Sequence, residues 1–419
     1  MFLYLGQLLV ISVTTANGDG SLSNHLISFL IFVLSLIIIL LLSKKSLTIG
    51  IFAGSVTLGF LTLSLSDLIG ITVATLTNSN VILLALAVSM IPLIGEILKE
   101  SGFLESMVKN FKFGEKSFLI FSPAILGLLP MPGGALFSAP MVDRGGYSID
   151  SVRKASINVW FRHILHLIYP LAPALIIACE LANLETYTLI AFLFPFFLLS
   201  GMIGFWFLLG NIQDNKLNDK IVNWSEFLKP LLIIICAPII DFLLKFFYGL
   251  KALATFIGVS ISLIIGVSLS SSKIDNWLTM VKKAKSWDFF LLIVAIYLYQ
   301  AIFAVSNVGL FVESVAIPSW AFIIVISFMF GFLTGRVSTP LVILIPLYIT
   351  RFTIISPLNL ALMYYSTILG YIISPIHPCL VFTAEYFNIN PKEIIKDLLK
   401  VESFSLALGI ILYVLFHII

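Results

Sequence analysis

A chain of 419 residues that is 60% apolar and 11% charged, against about 25% charged in a soluble domain, is built for lipid and leaves little length for a soluble catalytic domain. A net charge of +3, carried by basic residues in short loops, is a topology signal and argues against nucleic acid as a partner. Cys179, Cys236 and Cys379 all fall inside apolar runs, without the spacing of a disulfide framework or a zinc site, and read as packing residues.

Residues 1–16 are a short apolar stretch ending in small residues, either a signal-like segment or an interfacial helix, and 1–25 form an N-terminal segment. Ten apolar runs are then long enough to cross a bilayer, at about 20 residues each: 26–43, 46–66, 78–98, 156–183, 186–210, 227–249, 252–270, 288–308, 359–386 and 401–418. Two more, 117–142 and 319–348, are apolar but interrupted, by Pro130-Met131-Pro132-Gly133-Gly134 and by Thr334-Gly335-Arg336-Val337-Ser338-Thr339-Pro340. Proline removes a backbone donor and glycine weakens a helix, so these read as re-entrant hairpins whose tips line protein or a water-filled cavity. The runs at 156–183 and 359–386 are themselves broken, at Pro170–Pro173 and Pro375–Pro378.

Lys and Arg accumulate on the cytoplasmic side of a membrane. With each hairpin returning to its starting side, nineteen of the 24 basic residues fall in inside loops and only Lys245, Lys251 and Arg351 outside; Arg162 and Arg336 lie within membrane segments. The expected topology is a multi-pass protein of the cell (cytoplasmic) membrane with both ends of the ten-span core outside.

At an offset of 205 residues, Pro170, Pro173, Leu175, Glu180 and Asn183 match Pro375, Pro378, Leu380, Glu385 and Asn388, and Gly127 pairs with Gly331 at nearly the same offset. The fold class expected is therefore an all-α polytopic membrane protein of two inverted repeats, 26–212 and 227–419, joined by a cytoplasmic linker at 213–226. Each repeat has five crossings and one hairpin, and the odd number turns the second upside down. Inverted repeats mark secondary carriers, and no Gly-x-x-x-x-Gly-Lys-Ser/Thr loop suggests nucleotide hydrolysis.

Half-helix N-termini at such breaks favour anions. Gly133, Gly134 and Gly335 supply close-approach backbone, Ser138, Thr334, Ser338 and Thr339 supply hydroxyls, and Pro173 marks the first break. Arg336, costly in hydrocarbon unless it faces a cavity or a partner, offers a planar fork suited to carboxylate or phosphate. Arg162, His163 and His166 precede the first break; they attract an anion or relay protons, or else Arg162 snorkels to the headgroups. His377 stands where its repeat partner is Ala172 and is a candidate for ligand binding or proton coupling. Glu180 and Glu385 are carboxylate candidates for coupling, or structural pairs. Asp241 and Glu96 read as structural.

The hairpin segment Pro130-Met-Pro-Gly-Gly-Ala-Leu-Phe-Ser-Ala-Pro140, the break Ser374-Pro-Ile-His-Pro-Cys379, and the order of hairpin followed by proline-broken helix in each half resemble the ion transporter superfamily of elevator-type carriers, which includes gluconate, citrate and dicarboxylate permeases. The resemblance implies a transport domain of hairpins and broken helices, a scaffold of the other spans, and a homodimer in membrane lipid. The tips read Pro-Gly-Gly-Ala and Arg-Val-Ser-Thr where sodium-coupled dicarboxylate members carry Ser-Asn-Thr. The function expected is a secondary transporter of a small anionic solute, coupled to protons or sodium, with no enzymatic activity and no cofactor. An inorganic-ion carrier or channel on the same scaffold is the alternative, and an intramembrane enzyme on lipid-linked substrates has no nucleophile or metal motif behind it.

Overall fold

The computed structural model describes residues 20–110, 114–128, 134–146, 149–210, 212, 223–270, 277–306, 308 and 317–418. All regular structure among them is helical, and the chain is an all-α polytopic membrane protein. The segment 1–16 and most of the linker at 213–226 lie outside the described residues.

In chain order the helices are α1 (Gly20–Ser43), α2 (Leu47–Thr62), α3 (Leu65–Thr77), α4 (Ser79–Glu100), α5 (Phe103–Lys109), α6 (Glu115–Gly127), α7 (Ala135–Gly145), α8 (Ser151–Ile164), α9 (Pro173–Ala182) and α10 (Thr186–Gly204). They continue as α11 (Trp224–Tyr248), α12 (Ala252–Leu269), α13 (Trp277–Ala284), α14 (Ser286–Val305), α15 (Ser327–Thr334), α16 (Ser338–Phe352), α17 (Pro357–Ile372), α18 (Pro378–Phe387) and α19 (Pro391–Ile418). Each of the ten runs expected to cross is helical, and among the described residues six helices are long and apolar enough to span: α4, α10 with its π-helical extension to Leu209, α11, α12, α14 and α19. The short helices α3, α5 and α13 do not emerge from the sequence, because each is too brief to register as an apolar run of membrane length. α19 begins ten residues before the expected 401, since Pro391 at its first turn lacks only a donor that the helix does not use.

α6 with α7, and α15 with α16, form the two helical hairpins, and α8–α9 and α17–α18 form the two broken helices. The matched prolines and asparagines have the same local job in each copy. Pro173 and Pro378 open α9 and α18 at a position where their fixed φ suits the helix. Asn183 and Asn388 close them in the left-handed conformation, φ 51° and 52°. The next residue's amide reaches back into the last turn in both copies, Leu184 to Cys179 O at 2.9 Å and Ile389 to Ala384 O at 3.0 Å. Asparagine tolerates this backbone because its short polar side chain bonds locally.

The packing order also occurs twice. α1 packs on α2 as α11 packs on α12, α2 on α14 as α12 on α4, and α6 on α8 as α15 on α17. The half-helices cross over: α9 lies against α16 of the second hairpin, and α18 against α7 of the first. Glycine makes these crossings close. A Cβ at Gly127 would overlap the carbonyl of Arg162, and one at Gly331 the carbonyl of Thr367, two contacts related by the same repeat. Between lipid-embedded helices, where lipid tails are as apolar as leucine, such backbone approach supplies much of the association.

Two groups of helices result. One holds α1, α2, α4, α11, α12 and α14; the other holds the hairpins, the broken helices, α10 and α19. Buried polar links tie the second group internally: Trp160 Nε1 donates to Ser200 O at 3.2 Å, Ser200 Oγ lies 3.0 Å from Tyr365 OH, and Tyr365 donates to Ser405 O at 3.1 Å. The main packings between the groups are α14 with α9 and α16, and α1 with α16.

Candidate functional site

The two chain breaks meet inside the second group. After α8 the chain makes one 3-10 turn, Leu165–Leu167, and runs irregularly to Pro173; after α17 it runs irregularly, without a 3-10 turn, from Ile373 to Pro378. Ser374 Oγ donates to Phe332 O at 2.6 Å, fastening the second break to the second hairpin, and His166 Nε2 reaches Gly127 O at 2.8 Å, fastening the first break to the first hairpin. Tyr364 OH donates to His166 O at 3.2 Å and Asn158 Nδ2 to Thr383 Oγ1 at 2.9 Å, so each copy holds the other's broken helix.

Three histidines gather here. The ring centroids of His163 lie 5.5 Å from His166 and 4.6 Å from His377, and the Tyr371 ring packs on His377 at 3.9 Å, tilted by 40°. His163 Nδ1 faces Val159 O at 2.6 Å and His377 Nδ1 faces Ile372 O at 3.2 Å. A carbonyl only accepts, so Nδ1 carries the proton in both neutral rings and Nε2 carries the lone pair. His163 Nε2 accepts from Tyr371 OH at 3.3 Å; His377 Nε2, in a residue 0% exposed, has no hydrogen-bond partner among the described residues.

Arg162 is 4% exposed and its Nη1 donates to Ser138 Oγ at 3.3 Å. It therefore turns into the protein, onto the first hairpin, and does not snorkel. Arg336 follows Gly335, whose positive φ of 59° turns the second tip, and Thr334 Oγ1 braces that turn by donating to Phe330 O at 2.7 Å. Among the described residues neither guanidinium has a carboxylate within ion-pair distance.

Thr334, Gly335 and Arg336 line a cavity of about 580 Å³ with Pro378 and, across the group boundary, Ser43 and Lys44 at the end of α1. Gly134 and Ser138 are buried in the first hairpin, whose remaining tip at 129–133, Gly133 included, lies outside the described residues. Ser338 is half-buried, Pro173 likewise at the head of α9, and Thr339 is fully buried with its hydroxyl unpartnered.

Glu180 and Glu385 are not part of this assembly. Each stands seven residues along its half-helix, about 10 Å from the break, and both are exposed. Glu180 instead accepts a hydrogen bond from Tyr297 of α14, across the group boundary. Beside it, Asp241 accepts from Tyr187 at 2.6 Å and from Thr255 at 2.7 Å and pairs with Lys245 at 3.0 Å. Glu96 pairs with Lys99 at 3.5 Å.

Sequence reading missed Tyr371, Lys44 and the placement of Cys379. The repeat held a signal for the first: Tyr371 stands 205 residues after His166, so the two repeat-equivalent positions both carry a polar ring at the crossing. Cys379, read as packing, lies with His163 and His377, their ligand atoms all within 4.8 Å of one another.

The fold has solved counterparts. The chain superposes on the YdaH transporter of Alcanivorax borkumensis with a TM-score of 0.55 at 14% identity, over 84% of this chain and 88% of that one. It superposes on MtrF of Neisseria gonorrhoeae, a protein described within a class of antimetabolite efflux pumps, with a TM-score of 0.51 at 11% identity, over 99% and 97%. At these identities the likeness is one of fold. No curated protein matches the chain. The family described as "Protein of unknown function (DUF401)" matches residues 26–416, and the chain belongs to that family.

Proposed function

We propose that this protein is a secondary active transporter of a small anionic solute of the carboxylate type, working by alternating access as an elevator-type member of the ion transporter superfamily. The observation that carries the reading is the pair of guanidinium groups, Arg162 in the last turn of α8 before the first break and Arg336 at the turn of the second hairpin, both without a carboxylate partner among the described residues. An unpaired cation at membrane depth is costly and marks a pathway; a solute carboxylate supplies the missing charge. The cavity of about 580 Å³ lies in the range of small-molecule sites. The transporter neighbours support the same class through their shared fold.

The elevator reading draws on the two helix groups and on relative depth. With basic loops inside, α14 runs outward from Lys285, and Tyr297 stands about 17 Å along it, near mid-membrane. Glu180, near the outer end of α9, is bonded to that tyrosine. The second hairpin enters from outside, yet its tip shares a cavity with Lys44 at the inner end of α1. Both offsets support the reading of a mobile group displaced toward the cytoplasm. A proton or sodium gradient is the proposed energy source, and a homodimer in the cytoplasmic membrane the proposed assembly.

Thermal stabilisation of purified protein by a panel of sugar acids, short mono- and dicarboxylates and inorganic anions tests the solute class. Stabilisation by an organic acid, lost in Arg336→Ala, supports it; stabilisation by inorganic anions alone excludes it. Flux in proteoliposomes tests alternating access, which requires rates that saturate with solute.

A further inference from the structure

We propose that His163, His377 and Cys379 form a coordination site for a thiophilic d-block cation, of the Zn²⁺ class, where the two broken helices cross. Their ligand atoms lie within 4.8 Å of one another, and both histidines are buried. Each ring is oriented as a ligand, with Nδ1–H pinned to a helix carbonyl, Val159 O or Ile372 O; the Nε2 lone pair of His377 is free, and that of His163 is held by Tyr371 OH, which gives way when a cation binds. The outer-shell bond from Nδ1–H is the arrangement that fixes tautomer and ring direction in metal-binding histidines. His377 Nε2 has no other use, since it is buried without a hydrogen-bond partner among the described residues.

Tetrahedral Zn²⁺ with two nitrogens and a sulfur holds its ligand atoms roughly 3.4 Å apart, so ligand atoms within 4.8 Å of one another draw together on binding. Tyr371 OH, 3.3 Å from His163 Nε2, gives up that hydrogen bond when the ion takes the lone pair. Access is through Cys379, which is half-buried and follows Pro378 in the wall of the cavity. On binding, the Cys379 thiol releases its proton to solvent and the thiolate offsets part of the ion's charge. Nitrogen and sulfur donors select Zn²⁺, Co²⁺ or Cu⁺ over Na⁺, Mg²⁺ and Ca²⁺.

The site stands on its own donor geometry, independent of the anion reading. Full-length protein in detergent, stripped with chelator, is titrated with Co²⁺ under reducing conditions and then with Zn²⁺. One equivalent of Co²⁺ should bind with a thiolate-to-cobalt charge-transfer band that Zn²⁺ displaces. Cys379→Ser should abolish the band, His377→Gln should weaken binding at least tenfold, and Cys179→Ala should leave it unchanged. Size-exclusion profiles identify any variant that has lost its fold. A wild-type titration without a saturable band overturns the proposal whatever the variants do, as does a band that survives Cys379→Ser or disappears with Cys179→Ala. Stabilisation by acids, measured on the same samples, reports separately on the anion site.

Discussion

Replacing Arg336 by alanine should weaken solute binding and at the same time leave the empty protein as stable as before, or more so. The guanidinium stands at the turn of the second hairpin, facing a cavity that it shares with Lys44, and no carboxylate among the described residues neutralises it. A charge-assisted hydrogen bond contributes about 1.5–3 kcal/mol, and each 1.4 kcal/mol is about tenfold in affinity. Loss of one such bond to a carboxylate predicts a fall of roughly 10- to 150-fold, and loss of both arms of a bidentate contact more. Arg336→Lys keeps the charge and loses the fork, so it should fall between wild type and alanine. Thermal melts of each variant, with and without the stabilising acid, read both quantities. Undiminished stabilisation of Arg336→Ala by the acid, or a collapse of its unliganded melting temperature, would refute the reasoning, because the arginine would then be a structural group.

Disulfide cross-linking of Glu180→Cys with Tyr297→Cys, in a Cys179→Ala background, should hold the two helix groups together and stop flux, with recovery on reduction; flux that continues through the cross-linked protein excludes relative movement at that boundary. Gly331→Val should destabilise by about 1–3 kcal/mol through overpacking, since even a Cβ there overlaps Thr367 O, and a melting temperature equal to wild type would mean that the crossing is looser than described. Asn388→Gly should be close to neutral while Asn388→Val lowers the melting temperature, because φ is 52° and a β-branched residue is strained in that region; equal melts for the two would remove the left-handed cap from the account.

Much of the fold is legible in the order of residues, because its signals are local. An apolar run reports its preference for lipid wherever it sits, and proline or glycine breaks a helix by what it does to its own backbone. Pro173 and Pro378, with Asn183 and Asn388, reveal the repeat for the same reason: each satisfies a requirement of a single helix end, so both copies keep the same residue type. The helices α3, α5 and α13 escape this reading, being too short for composition to separate them from loops.

The site divides along the same line. The residues at the tips and breaks could be picked out by type, and the structure brings His163, His166 and His377 into one cluster and Thr334, Gly335 and Arg336 into one cavity. Glu180, at the position matching Glu385, has the residue type of the same set and instead reaches Tyr297 on the other helix group. What the sequence alone determined is which segments are apolar and helical, where they break, and that the pattern occurs twice. Which side chains then meet was decided only by tertiary packing. His163 and His377 come from opposite halves, and their approach depends on α9 lying against α16, on α18 lying against α7, and on the backbone contacts that Gly127 and Gly331 permit. Those distances belong to the assembled helices, and no single segment encodes them.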